Sequence, residues 1–228
     1  GEQLIGAAQA MVAAAENGID AVRYNSSTLS GKLLVAAPAV LARSPLSSKI
    51  ASFLTANPNV QITIDYSDER GDVIGDGVDV AIRMGWLSDS SLKVRKLFNV
   101  ERALVVSTNY LMGRPMPKKP ADVEGWDWLE LTPVPLRPVF GHETKKSVTL
   151  RPTPRLRVNS ATALYELTVQ GVGLSILPRF LAKQDENEGT IELLLPEWRL
   201  RSIAVYAVRP SNAPRTGLAA EFVKAISS

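Results

Sequence analysis

The apolar and polar positions change rhythm several times along this chain, and each change marks an element. Residues 33–37 (LLVAA) are a continuous apolar run that stops at Pro38, the pattern of a strand covered on both faces. Leu46, Ile50, Phe53 and Leu54 then recur at helical spacing, up to Asn57-Pro58. Val60, Ile62 and Ile64 alternate, which predicts a strand over 60–66. A short helix is expected over 68–75, followed by strands over 78–83, 94–98 and 103–107.

Residues 110–120 break the rhythm with Pro, Gly and Lys, and a crossover into a second lobe is placed just before them. Pro115, Pro117, Pro120, Pro133, Pro135 and Pro138 keep the middle of the chain rich in loops, with short strands. The strongest local pattern is residues 159–178, NSATALYELTVQGVGLSILP. Asn159 and Ser160 are helix-capping types, Ala161, Leu164, Leu167 and Val169 fill a helix, and Gly171 stands where a left-handed cap is wanted. Leu174–Leu177 then reads as a buried strand ended by Pro178. A helix near 179–183, strands over 191–195 and 202–208 and a closing helix over 213–226 complete the chain.

Strands alternating with helices predict an α/β fold with a largely parallel sheet. Two crossings of the chain imply two Rossmann-like lobes, 31–107 with 209–228 and then 108–208, hinged about a cleft at the carboxyl ends of the strands. Ahead of them, Ile5, Ala8, Val12, Ala15, Ile19 and Val22 are spaced by three and four, a coiled-coil seam. Residues 1–30 are therefore read as a linking or dimerising helix and a polar linker.

Composition removes several function classes. Of 228 residues, 45% are hydrophobic, enough for a sizeable core. The net charge of +3 and the prolines interrupting Lys145, Lys146, Arg151, Arg155 and Arg157 argue for a solvated surface over a nucleic-acid groove. With no cysteine, disulfides and thiolate chemistry are excluded. No apolar run approaches the ~20 residues of a membrane span, and the first residues lack the layout of a signal peptide.

Catalytic equipment is not visible either. His142 is the only histidine and no G-x-S-x-G turn accompanies it, so it is read as an ordinary structural residue. Gly171 and Gly173 follow a helix instead of a strand, against a dinucleotide fingerprint. Asp72, Asp76 and Asp79 have the wrong spacing for a calcium loop. No cofactor and no metal are expected. What remains is a ligand cleft supplied by strand ends: Pro38, Ala39 and Leu41, Ser67 and Asp68, Arg83 and Gly85, and Asn159 and Ser160. Arg83 is the cation suited to a carboxylate, or else one partner of a structural salt bridge.

Four segments in this order, GKLLVAAPAVLARSPLSSKIASFLTANPNVQITI, DGVDVAIRMG, LFNVERALVVSTNYL and VNSATALYELTVQGVGLSILP, make the chain resemble the effector-binding region of LysR-type transcriptional regulators from about residue 33 to residue 226. The resemblance implies a periplasmic-binding-protein type of fold, with two lobes joined by crossover strands. It implies a small-molecule effector between the lobes, near Ala39, Leu41, Ser67, Arg83, Asn159, Ser160 and Pro178. It also implies a cytoplasmic homodimer or homotetramer that reaches DNA only through an N-terminal winged helix-turn-helix outside this sequence. Family members that bind small anions often carry Ser or Thr in the loop after the first strand. Here that loop is Ala39-Val40-Leu41-Ala42, which favours a partly apolar effector whose carboxylate, where it has one, reaches Arg83 or Ser160. Two other readings share the fold: a solute-binding protein serving a transporter, and an enzyme.

Overall fold

The computed structural model describes residues 29–68, 77–85, 92–132, 134 and 136–227, in two compact units. The first unit takes the chain up to Phe98 and again from Ala204; the second is Asn99–Ile203. The expected helices over 2–22 and 68–75 lie outside the described residues, apart from Asp68.

Unit 1 is built on β1 (Ser30–Ala37), the continuous apolar run. A helical turn, Ala39–Arg43, leads into α1 (Pro45–Ala56), whose N-cap Ser44 accepts from the Leu46 N–H and whose Pro45 occupies the first turn. Next come β2 (Asn59–Tyr66), β3 (Val80–Met84) and β4 (Lys93–Val100). β1 lies parallel to β2 along its whole length, Ser30 opposite Asn59 and Ala37 opposite Tyr66, and parallel to β3 at Val35 and Ala36. Both edges of β1 are thus paired, which makes it an interior strand of the sheet. Asp79 ties β1 to β3. Its N–H donates to the Leu34 carbonyl at 3.0 Å, and its carboxylate accepts the Leu34 N–H at 2.8 Å.

The second unit starts with β5 (Arg102–Ser107) and a single helical turn, α2 (Thr108–Leu111). Four short strands follow, β6 (Trp128–Leu131), β7 (Val139–Gly141), β8 (Val148–Thr149) and β9 (Pro154–Val158). They lead to α3 (Ala161–Val169), β10 (Ser175–Pro178), α4 (Arg179–Glu188), β11 (Ile191–Leu194) and β12 (Arg199–Leu200). β5 is the middle strand of β10-β5-β11 and is antiparallel to both neighbours. Trp128, Phe140, Leu150, Leu174, Leu194 and Trp198 form its core together with Leu104 and Val106 of β5. The Trp128 indole N–H donates to the Val123 carbonyl at 2.8 Å, so that burial of the ring leaves no orphan donor.

β13 (Ile203–Arg209) returns the chain to unit 1, where the strand order is β2-β1-β3-β13-β4 and β13 runs antiparallel to β3. The closing helix α5 (Leu218–Ile226) packs Phe222 edge-on against Phe53 of α1, ring centres 5.3 Å apart.

Three expectations are corrected. The sheets are parallel only in part: β10 and β11 pair antiparallel with β5, and β13 does so with β3. β5, expected in the first lobe, falls in unit 2, where among the described residues it pairs with β10 and β11. The closing helix starts at Leu218 and not at 213, because Pro214 cannot join a helix interior and Gly217 is extended with φ +107°.

Gly171 and Gly173, which the sequence excludes from a dinucleotide fingerprint, have structural tasks. Gly171 (φ +80°) closes α3 in a Schellman motif, with its own N–H on the Thr168 carbonyl and the Val172 N–H on Leu167. Gly173 lies so close to β6 that a Cβ would stand 2.0 Å from the Asp127 carbonyl oxygen. Gly173→Ala should therefore cost about 3 kcal/mol in urea unfolding, whereas Gly125→Ala, with nothing within 4 Å of the added carbon, should be close to neutral.

Burial raises the Asp79 carboxyl above its ordinary 3.8, against the opposing pull of the Leu34 N–H. A raised acid binds its proton more tightly folded than unfolded, so its contribution to stability falls as pH rises from about 4. Asp79→Asn keeps an acceptor for Leu34 and removes that dependence. Its stability relative to the parent should increase from pH 4 to pH 7 in urea titrations, while Asp79→Ala should lose about 1–3 kcal/mol throughout by stranding the Leu34 N–H.

Candidate functional site

In an open α/β sheet, ligands collect where parallel strands end, because the chain leaves there in loops and helix N-termini. Unit 1 has three such ends side by side. Ala37 and Tyr66 are opposite each other, so Pro38 and Ser67 leave β1 and β2 together, and the Ser67 N–H donates to the Ala37 carbonyl at 3.0 Å. The pairing of Ala36 with Ala81 brings Arg83 level with Pro38 on the other side. Asp68 follows Ser67 and is half-buried. Gly85 follows β3 with φ +92°, a conformation that suits glycine, and its N–H donates to the Ala204 carbonyl at 2.9 Å.

The turn after β1 behaves differently from a loop. Ala39–Arg43 coils as a 3-10 helix, with the Leu41 N–H on the Pro38 carbonyl at 3.0 Å and the Ser44 hydroxyl on the Leu41 carbonyl at 2.7 Å. Leu41 is 0% exposed. Its side chain is core, so of the apolar loop only Pro38 and Ala39 offer side-chain surface at the strand ends beside half-buried Arg83.

Unit 2 forms a second edge. β6 and β9 are parallel, and Trp128 of β6 also bridges in parallel to Leu174 at the start of β10. The strands therefore stand in the order β9, β6, β10 and all point the same way. Asn159 and Ser160 leave β9, and Pro178 ends β10 two strand spacings away, about 10 Å. Ser160 caps α3, its hydroxyl accepting the Ala163 N–H at 3.4 Å. The first intrahelical bond is Leu164 N–H to the Ser160 carbonyl, so the Ala161 and Thr162 N–H groups point out of the helix end, where its dipole is positive. Pro178 is buried.

Between these two ends stands Thr132, which sequence reasoning missed. It follows β6, and both its N–H, at 2.8 Å, and its hydroxyl, at 3.2 Å, donate to the Val158 carbonyl. Thr132-Pro133 directly after the apolar WLEL could have marked a strand end, but the surrounding prolines masked it.

Buttressing beneath this edge is ionic. The Asp127 carboxylate accepts the Tyr110 hydroxyl at 2.9 Å and lies 3.3 Å from Arg155, while Arg114 stacks 4.3 Å over the Tyr110 ring. Glu130 pairs with Arg157 at 2.6 Å and accepts the Leu136 N–H at 2.9 Å. Arg155 and Arg157 stay solvent-exposed, as the sequence predicts, and each also reaches an acid on the β6 segment. His142 accepts the Thr144 N–H at 3.1 Å and sets its ring edge-on to Trp198, 4.8 Å between centres, as a brace for the turn after β7. Among the described residues no group of His, Cys, Asp or Glu could hold a metal ion. No helix of the described residues is long and apolar enough to cross a membrane.

Comparison with known proteins places this arrangement. A family model described as the LysR substrate binding domain matches residues 26–228. The HTH-type transcriptional regulator PtxR of Pseudomonas aeruginosa is 32% identical over 212 residues, covering 92% of this chain and 68% of PtxR. The HTH-type transcriptional activator AaeR of Escherichia coli is 30% identical over 182 residues, 78% of this chain and 58% of AaeR. Among solved structures, the regulatory domain of CrgA from Neisseria meningitidis superposes with a TM-score of 0.74 at 24% identity, covering 87% of this chain and 98% of that one. The full-length Vibrio cholerae virulence activator AphB gives 0.72 at 20% identity over 88% of this chain and 69% of AphB. These neighbours carry the two-lobed fold of the periplasmic binding proteins.

Proposed function

The chain belongs to the LysR substrate binding domain family, and from that premise we propose that it is the ligand-sensing part of a DNA-binding transcriptional regulator, holding a small-molecule effector at its parallel-strand ends. The observation that carries the reading is the pair of parallel-strand edges, each ending in groups that can fix a ligand. From unit 1 come Pro38, Ala39, Ser67, Asp68, Arg83 and Gly85; from unit 2 come Asn159, Ser160, Thr132 and Pro178. Leu41 supports its edge from within.

The chemistry of the two edges is unlike, and so is what each can do for a ligand. Pro38 and Ala39 offer apolar contact, and Arg83 a fork for a carboxylate. The start of α3 offers backbone N–H groups and a positive dipole end. A small, highly charged anion would find few hydroxyl donors on the unit 1 side. The fitting effector is a monocarboxylate with an apolar body, its carboxylate at Arg83 or at the start of α3. Nothing in either edge places a nucleophile next to a base, so binding is the activity, not turnover. PtxR and AaeR are named HTH-type regulators, and the chain spans little more than half the length of AaeR. DNA contact then belongs to a winged helix-turn-helix outside this sequence. Assembly into dimers or tetramers falls to residues 2–22, in the cytoplasm where such a regulator works.

A panel of aliphatic and aromatic monocarboxylates tests this by thermal shift. At ten times its Kd, a true effector should raise Tm by about 3–6 °C. Ser160→Arg places a long cation across the start of α3 and should abolish that rise, with the unliganded protein still folding cooperatively. A rise of the same size in the variant would place the effector elsewhere, and conversion of any panel member to product would replace a sensor with an enzyme.

A further inference from the structure

Most arginines of unit 2 with a described ionic contact have found an acid. Arg114 and Arg155 reach Asp127, Arg157 reaches Glu130, Arg179 reaches Glu101 and Arg199 reaches Glu143. Arg102 and Arg201 have no acid among the described contacts, nor have Arg137 and Arg151. Arg102 opens β5, opposite Pro178 of β10, and its Nε donates to the Arg201 carbonyl at 2.7 Å. That bond fixes the plane of the guanidinium and leaves its two Nη groups uncommitted among the described contacts. Burial holds the Arg102 pKa below the ordinary arginine value, and the nearby Arg201 charge adds a smaller push in the same direction. Glu101, the neighbour in sequence, points its carboxylate at Arg179, 3.9 Å away. Among the described residues no carboxylate pairs with either Arg102 or Arg201.

A half-buried guanidinium beside a second cation, with no acid between them, is electrostatically incomplete. We propose that Arg102 and Arg201 together bind a tetrahedral oxyanion, phosphate or sulfate. A guanidinium presents its donors as a rigid planar fork, and a carboxylate is used up by one such fork. A tetrahedral oxyanion has a further edge for a second, which suits two arginines approaching from different segments, β5 and the link between β12 and β13. The Nε bond to the Arg201 carbonyl pre-orders Arg102, so less side-chain freedom is lost on binding. Arg102 starts β5 and Arg201 precedes β13, a few residues from the two points where the chain passes between units. None of the residues assigned to the effector takes part in this contact apart from Pro178, whose backbone lies opposite Arg102.

The test is the melting of the whole 228-residue chain in sodium phosphate, in sodium sulfate and in sodium chloride of equal ionic strength. Phosphate or sulfate should raise Tm above chloride, saturably, and Arg102→Met and Arg201→Gln should each remove the difference. Should Arg102→Met fail to fold, Arg201→Gln alone decides, since only its side chain is altered and its carbonyl remains for Arg102. Ser160→Arg should keep the phosphate response in full, which separates this site from the effector site. Equal melting in all three salts overturns the proposal, and so does a phosphate gain that survives unchanged in Arg201→Gln.

Discussion

Parallel pairing decides which residues of this chain share an edge. When strands run the same way, their carboxyl ends meet, and whatever follows each strand is brought together however far apart it is in sequence. In unit 1 the ladder of β1 with β2 and β3 does this for Pro38, Ser67 and Arg83. In unit 2 the β9-β6-β10 series does it for Ser160, Thr132 and Pro178. A slip of one residue in either ladder would exchange core and solvent faces, so the register must be held firmly.

Different devices hold the two registers. β1 is held by Asp79, which gives and takes a hydrogen bond at Leu34 and keeps a partly buried carboxylate in order to do so. The second ladder relies on a close approach: Gly173 lets β10 come against the Asp127 carbonyl, and the Leu174 N–H donates to that same oxygen at 2.9 Å. Asp127 then gathers Tyr110, Arg114 and Arg155 around its side chain. One aspartate in each unit thus joins strand pairing to side-chain packing.

Charge is distributed to match. The two exposed arginines of β9 pair with Asp127 and Glu130, while Arg102 has the Arg201 carbonyl for a partner and no acid among the described contacts.

The sequence by itself determined the elements and their order. Local patterns carry that information: the unbroken apolar run of β1, the Ser44-Pro45 start of α1, the Ser160 cap and Gly171 stop of α3, and the apolar face of α5. Four motif segments sufficed to show the family. Only the tertiary structure decided partnership. No local pattern says that β5 pairs with β10 and β11, that Leu41 turns into the core instead of toward a ligand, or that Thr132 stands between Ser160 and Pro178. Nor does one show that Gly173 is glycine because Asp127 lies against it. Those facts depend on contacts between residues far apart in the chain, and such contacts exist only once the strands have chosen their neighbours.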